Sequence, residues 1–125
     1  MKLLLRETLE LKLTNGNDGR GKSFWGSANF RKSAEQYLRA FHKKRKPFGV
    51  PVAVHVTRLF SGRERFWDSS SVGRGNWKEI EDALVAVGWF HDDCHKWIRS
   101  TIFNQRKHNE SCVLVEVFEF SGVSE

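Results

Sequence analysis

The chain has 125 residues, 39% of them hydrophobic and 29% charged, a balance typical of one folded domain and not of a disordered chain. No apolar run approaches the roughly 20 residues that a membrane span needs, and Arg6, Glu7 and Glu10 interrupt the apolar start, which argues against a signal peptide. The net charge of +6 favours a polyanionic partner, and we expect a cytoplasmic protein without membrane partners.

The first half of the chain predicts a strand, a loop and a basic helix. Leucines occupy the odd positions from Leu3 to Leu13 except position 7, the period of a strand with one buried face. Residues 15–22 are rich in glycine and turn formers and predict a loop. An apolar stripe from Phe30 to Phe41 has helical spacing, and the helix is expected to reach about Lys43 before Pro47.

The second half predicts a strand at 50–57, a polar loop at 61–75 and a helix from Trp77 to Val87. Residues 97–103 and 112–120 have the pattern of two further strands, expected to form a hairpin around 104–111. The order strand, helix, strand, helix, strand, strand indicates a single α+β domain over 1–125. We expect a mixed β-sheet with the two main helices packed on one face.

Charge is unevenly distributed along the chain. Residues 15–46 contain nine basic and two acidic side chains, whereas residues 64–93 contain seven acidic and three basic ones. A basic segment of this kind is typical of proteins that hold a nucleic acid backbone, although a solvated surface has the same composition. The candidates for phosphate contact are Arg20, Lys22, Lys43, Lys44, Arg45, Lys46 and Arg74.

The acidic segment contains a candidate metal site. Asp92 and Asp93 are adjacent, and two carboxylates this close are stabilised by a divalent cation with oxygen ligands or by solvent in an ordinary turn. Asp68 is a lone acid in the polar loop, and Lys78 on the following helix is four residues from Asp82. A lysine beside a carboxylate-bound metal stabilises charge on a reacting phosphate, whereas a simple surface ion pair has no such role.

Two other patterns have less specific interpretations. Phe24 and Trp25, expected in the basic loop, suit either stacking on bases or packing over the core. His91, Cys94, His95 and Cys112 do not have the paired spacing of a zinc site. We therefore expect these four side chains to pack at the surface or in the core, with both cysteines as reduced thiols.

The order of these motifs resembles the RusA-type Holliday junction resolvases. That family has an Asp-x-Asp-Asn loop, a helix with a lysine and then Asp-Ala-Leu, a glycine and an Asp-Asp pair. This chain has Asp68-Ser-Ser-Ser, Lys78-Glu-Ile-Glu-Asp-Ala-Leu, Gly88 and Asp92-Asp93. The spacing from Lys78 to Asp93 is the specific part, and the likeness covers roughly residues 50–93. Elsewhere only the order of elements agrees.

The resemblance implies one RusA-like domain that acts as a homodimeric endodeoxyribonuclease on Holliday junctions or related branched DNA in recombination and repair. It implies catalytic roles for Asp68, Lys78 and Asp93, with Asp68, Asp93 and Asp92 binding Mg²⁺, which Mn²⁺ can replace. Ser70 occupies the place of the family's second loop carboxylate. The alternatives are a RusA-like DNA-binding protein with impaired catalysis and a small protein-interaction domain. Ser71 stands at the family's Asn position, which Asn76 is also able to fill.

Overall fold

The computed structural model describes residues 2–14, 24–42, 45–68, 71–73 and 75–120, without the side chains of 24–27. These residues form a mixed four-stranded sheet and two helices, so the predicted α+β class and the order of the elements are confirmed. The elements are β1 (Leu3–Leu9), α1 (Phe24–Phe41), β2 (Val52–Phe60), α2 (Trp77–Ala86), β3 (Ile98–Lys107) and β4 (Cys112–Glu119).

The chain forms two compact units, one with the sheet and one with the helices. The sheet unit comprises Met1–Lys12, Phe48–Phe66 and Cys94–Glu125. The helical unit comprises Leu13–Pro47 and Trp67–Asp93, and in it α1 packs against α2. Neither described helix is both long enough and apolar enough to cross a lipid bilayer.

The strand order in the sheet is β1-β4-β2-β3, so the predicted hairpin of the last two strands is wrong. β2 lies between them, parallel to β3 and antiparallel to β4. The connection at 108–111 crosses the end of β2, where the His108 amide donates a hydrogen bond of 2.8 Å to the Phe60 carbonyl. Eight of the nine β2 residues are buried, and a strand with two buried faces favours the interior of a sheet.

β1 is shorter than the leucine pattern predicts. Its partner β4 runs antiparallel to it, so the end of β1 lies beside the start of β4. Leu9 is fully buried and pairs with Val113, one residue after β4 begins. Leu13, which continues the pattern, is buried in the helical unit instead. The leucine pattern therefore continues beyond the last residue of β1 that pairs with β4. A side chain can be buried where its backbone is no longer hydrogen-bonded in the sheet.

In the helical unit, α1 begins at Phe24, six residues before the apolar stripe. The prediction that Phe24 and Trp25 lie in a loop is therefore wrong. No proline breaks residues 24–29, so the helix extends beyond its regular stripe. α2 ends as predicted at Gly88, whose φ of 91° is in the left-handed region that glycine adopts without strain.

Candidate functional site

The start of α2 is fixed by a close contact with the segment around Thr14. The side-chain oxygen of Asn76 accepts a hydrogen bond of 2.9 Å from the Thr14 amide, and Asn76 is only 5% exposed. At Gly75 a Cβ atom would lie 1.6 Å from the Thr14 carbonyl oxygen, so no larger residue fits. The side-chain oxygen of Asn76 is therefore used to hold the Thr14 backbone, which argues against Asn76 as the residue at the family's Asn position.

Lys78 in the first turn of α2 is surrounded by carboxylates. Its ammonium donates a hydrogen bond to Asp93 and lies 3.1 Å from Asp82 Oδ1 and 3.5 Å from Glu81 Oε1. Helical spacing places Glu81 and Asp82 on the same face as Lys78. The turn at Gly88 ends the helix, and Asp93 follows five residues later. We call Lys78, Glu81, Asp82 and Asp93 the Lys78 cluster.

Hydrogen bonding and burial have opposite effects on the pKa values of the acids in the Lys78 cluster. The hydrogen bond to Asp93 raises the pKa of Lys78 well above its ordinary value, and the same bond lowers the pKa of the Asp93 carboxyl. Burial raises the pKa of Glu81. Near neutral pH Lys78 is therefore a cation in direct contact with an anionic Asp93.

Asp92 is separate from these ion pairs but holds the same turn. Its Oδ1 accepts a hydrogen bond of 2.8 Å from the backbone amide of Asp93, and its side chain is otherwise exposed. The bond joins adjacent residues and fixes the Asp92 carboxylate against the backbone of Asp93. The two adjacent acids thus differ: Asp93 contacts the lysine, and Asp92 orders the backbone.

Asp68 is exposed, and among the described residues no hydrogen bond or ion pair joins its side chain to the Lys78 cluster. Its carbonyl oxygen accepts a hydrogen bond of 2.9 Å from the Ser71 amide, and Ser71 is almost fully buried. Its role as a metal ligand and catalytic acid remains a prediction. Ser70, the residue that departs from the family pattern, lies outside the described residues.

The carboxylates of Asp82 and Asp93 both contact one cation, the Lys78 ammonium. The ammonium occupies the point at which these oxygens converge, so a divalent cation bound by both carboxylates would have to replace it there. Among the described residues, no group of three or more His, Cys, Asp or Glu side chains is placed to hold a metal. The spacing of Asp82 from Lys78 placed it on this face and within the family pattern, but it was not predicted to be a metal ligand.

Of the predicted phosphate-binding residues, the structure describes Arg45 and Lys46. Both are in the helical unit, Lys46 being exposed and Arg45 partly buried, and the Arg45 carbonyl lies 3.3 Å from the position of a Cβ on Gly88. The remaining candidates lie outside the described residues: Arg20, Lys22, Lys43, Lys44 and Arg74.

The exposed surface of α1 adds basic residues that sequence analysis did not single out. Arg31 and Arg39 are each exposed and lie 3.7 Å and 3.5 Å from Glu35, one helical turn away on either side. Lys32 is exposed beside them. One acid between two arginines leaves this face with an excess of positive charge, and the i, i+4 spacing was the signal available in the sequence.

Both cysteines are free thiols, as the sequence predicts. Cys94 is exposed, whereas Cys112 is buried in the sheet unit, where burial raises its pKa. No family model matches this chain, and no curated protein is significantly similar to it.

Proposed function

We propose that this chain is a metal-dependent endodeoxyribonuclease of the RusA type that cuts Holliday junctions or related branched DNA as a homodimer. The observation that carries the proposal is the contact of Lys78 with both Asp82 and Asp93. A positive side chain beside two converging carboxylates provides the parts that phosphodiester hydrolysis with a divalent cation requires. The basic chain provides the attraction to DNA.

In this proposal Asp82 and Asp93 would hold one Mg²⁺, for which Mn²⁺ can substitute, in the place that the Lys78 ammonium occupies. Asp92 keeps Asp93 in place through its backbone amide. Asp68 is the further acid that the family resemblance assigns. A bound ion would supply polarisation of the phosphate and a lower pKa of the attacking water. Lys78, released from the two carboxylates by the ion, would donate to the phosphate oxygens as negative charge develops on them.

The test is incubation of the full chain with a synthetic four-way junction and Mg²⁺. We expect paired nicks near the branch, with Asp93→Asn and Lys78→Met each lowering the cleavage rate by about 100-fold or more. Glu110→Gln is the matched control, because Glu110 is an exposed acid outside the Lys78 cluster. Cleavage that Asp93→Asn leaves unchanged would refute the proposal.

A second candidate is a RusA-like protein that binds branched DNA without cutting it. Ser70 and Ser71 favour it, because serine is a poor metal ligand and the Ser71 side chain is almost fully buried. Salt-sensitive junction binding without cleavage in Mg²⁺ or Mn²⁺ selects this candidate. Absence of any binding to nucleic acid selects a protein-interaction domain.

A further inference from the structure

A buried arginine holds the loop that follows β2. Arg58 is 3% exposed, and its guanidinium donates hydrogen bonds of 2.9 Å to the Arg65 carbonyl and 3.0 Å to Gln105 Oε1. It also lies 4.5 Å from the centre of the Phe60 ring. Through these contacts, Arg58 on β2 and Gln105 on β3 hold the C-terminal end of the segment Ser61–Phe66.

The acid in this loop is turned towards the protein. The Glu64 carboxylate accepts a hydrogen bond from Ser111 and lies 3.4 Å from Arg58 and 3.5 Å from Lys12. The bond from Ser111 is the main cause that lowers the pKa of Glu64. The only acidic side chain in the loop is therefore already paired with groups outside the loop.

The exposed side of the loop is aromatic and cationic. Phe66 is 61% exposed, yet its ring contacts the fully buried Phe60 ring with 4.8 Å between the centroids at 82°. Arg63 and Arg65 are also exposed, and neither makes an ion pair with any described residue. The loop therefore exposes one aromatic ring and two cations within four consecutive residues of the sequence.

We infer that the loop Ser61–Phe66 binds an unpaired stretch of nucleic acid, with Phe66 stacked on a base and Arg63 and Arg65 against the phosphates. The inference rests on the proposed function, because it specifies which part of a branched DNA the chain contacts. An aromatic ring stacks on any base, and cations beside it meet the flanking phosphates without reading sequence. An acidic peptide would satisfy the arginines but would gain little from the ring.

The probe is a short single-stranded DNA that contains 2-aminopurine, whose fluorescence is quenched by stacking, bound to the full chain in EDTA. We expect quenching on binding, and Phe66→Ala should remove the quenching and weaken binding roughly 5- to 150-fold. Phe66→Trp should retain both. Ile102→Ala is the control, because Ile102 is also an exposed large apolar residue, on β3, and is far in sequence from the predicted phosphate-binding residues.

If Phe66→Ala does not fold, Phe66→Leu replaces it, because leucine keeps an apolar contact with Phe60 but has no flat ring to stack. Each of Arg63→Ala and Arg65→Ala should reduce the slope of log affinity against log salt by about 0.7. Equal effects of Phe66→Ala and Ile102→Ala overturn the inference. So does binding of polyglutamate that depends on Phe66 as strongly as DNA binding does.

These outcomes are independent of catalysis. Binding is measured in EDTA, whereas the proposed function is measured as cleavage in Mg²⁺ that depends on Asp93. A chain that stacks on DNA but never cuts it supports the inference and refutes the nuclease. A chain that cuts DNA equally well with Phe66→Ala, and binds single strands unchanged, does the opposite.

Discussion

Replacing Arg58 by methionine removes the guanidinium beneath the Ser61–Phe66 loop while keeping most of the buried volume. Two good hydrogen bonds are lost, to the Arg65 carbonyl and to Gln105, each worth about 1.5–3 kcal/mol as a bond from a charged group. The Glu64 contact adds little, because Glu64 is partly exposed. Burial of the methionine and the avoided desolvation of a charge offset part of the loss.

The net expectation is that Arg58→Met lowers the free energy of unfolding by about 2–4 kcal/mol. Chemical denaturation followed by tryptophan fluorescence measures it, with Arg106→Met as control, because Arg106 is an exposed arginine on β3. A loss below about 1 kcal/mol, or one equal to that of the control, would show that the loop is not held by Arg58.

Three further predictions concern other parts of the chain. Gly75→Ala should lower the free energy of unfolding by about 2 kcal/mol or more, since its Cβ meets the Thr14 carbonyl, whereas Gly49→Ala has open space and should have little effect. The lowered pKa of Glu64 contributes stability that is present above pH 4.5 and lost as pH falls through the folded-state pKa; Ser111→Ala should flatten that dependence in acid denaturation. Cys94 should react with a maleimide at native conditions and Cys112 only on unfolding, and equal rates would contradict the burial of Cys112.

Periodicity predicted most of the fold because it reports which side chains are buried. The stripes in α1 and α2 and the apolar run of β2 correspond to elements of the structure. The order of strands was not predictable in the same way. Burial patterns specify faces, whereas neighbours in a sheet depend on how connections cross its ends, as the 108–111 segment does over β2.

In the candidate site, too, spacing predicted the contact within one element but not the contact between two segments. The spacing of Lys78 from Asp82 predicted a shared helix face, and that contact is present. The contact between Lys78 and Asp93 spans the turn at Gly88, and only the family resemblance suggested it. Asp82 was missed as a possible ligand because an i, i+4 ion pair on a helix is so often a surface pair without further function.

The composition of the Lys78 cluster has a consequence for DNA binding. One lysine against Glu81, Asp82 and Asp93 gives an excess of carboxylates, so the cluster repels phosphate unless a cation joins it. Binding of a divalent cation and binding of DNA should therefore strengthen each other, because coupling between two ligands is reciprocal.

Ca²⁺ should tighten junction binding without cleavage, measured by fluorescence anisotropy. Asp93→Asn should bind more tightly than the native chain in EDTA and lose much of the response to Ca²⁺. If native affinity is the same in Ca²⁺ as in EDTA at equal ionic strength, the cation does not bind where the DNA does, and a metal at Asp82 and Asp93 has no part in holding the substrate.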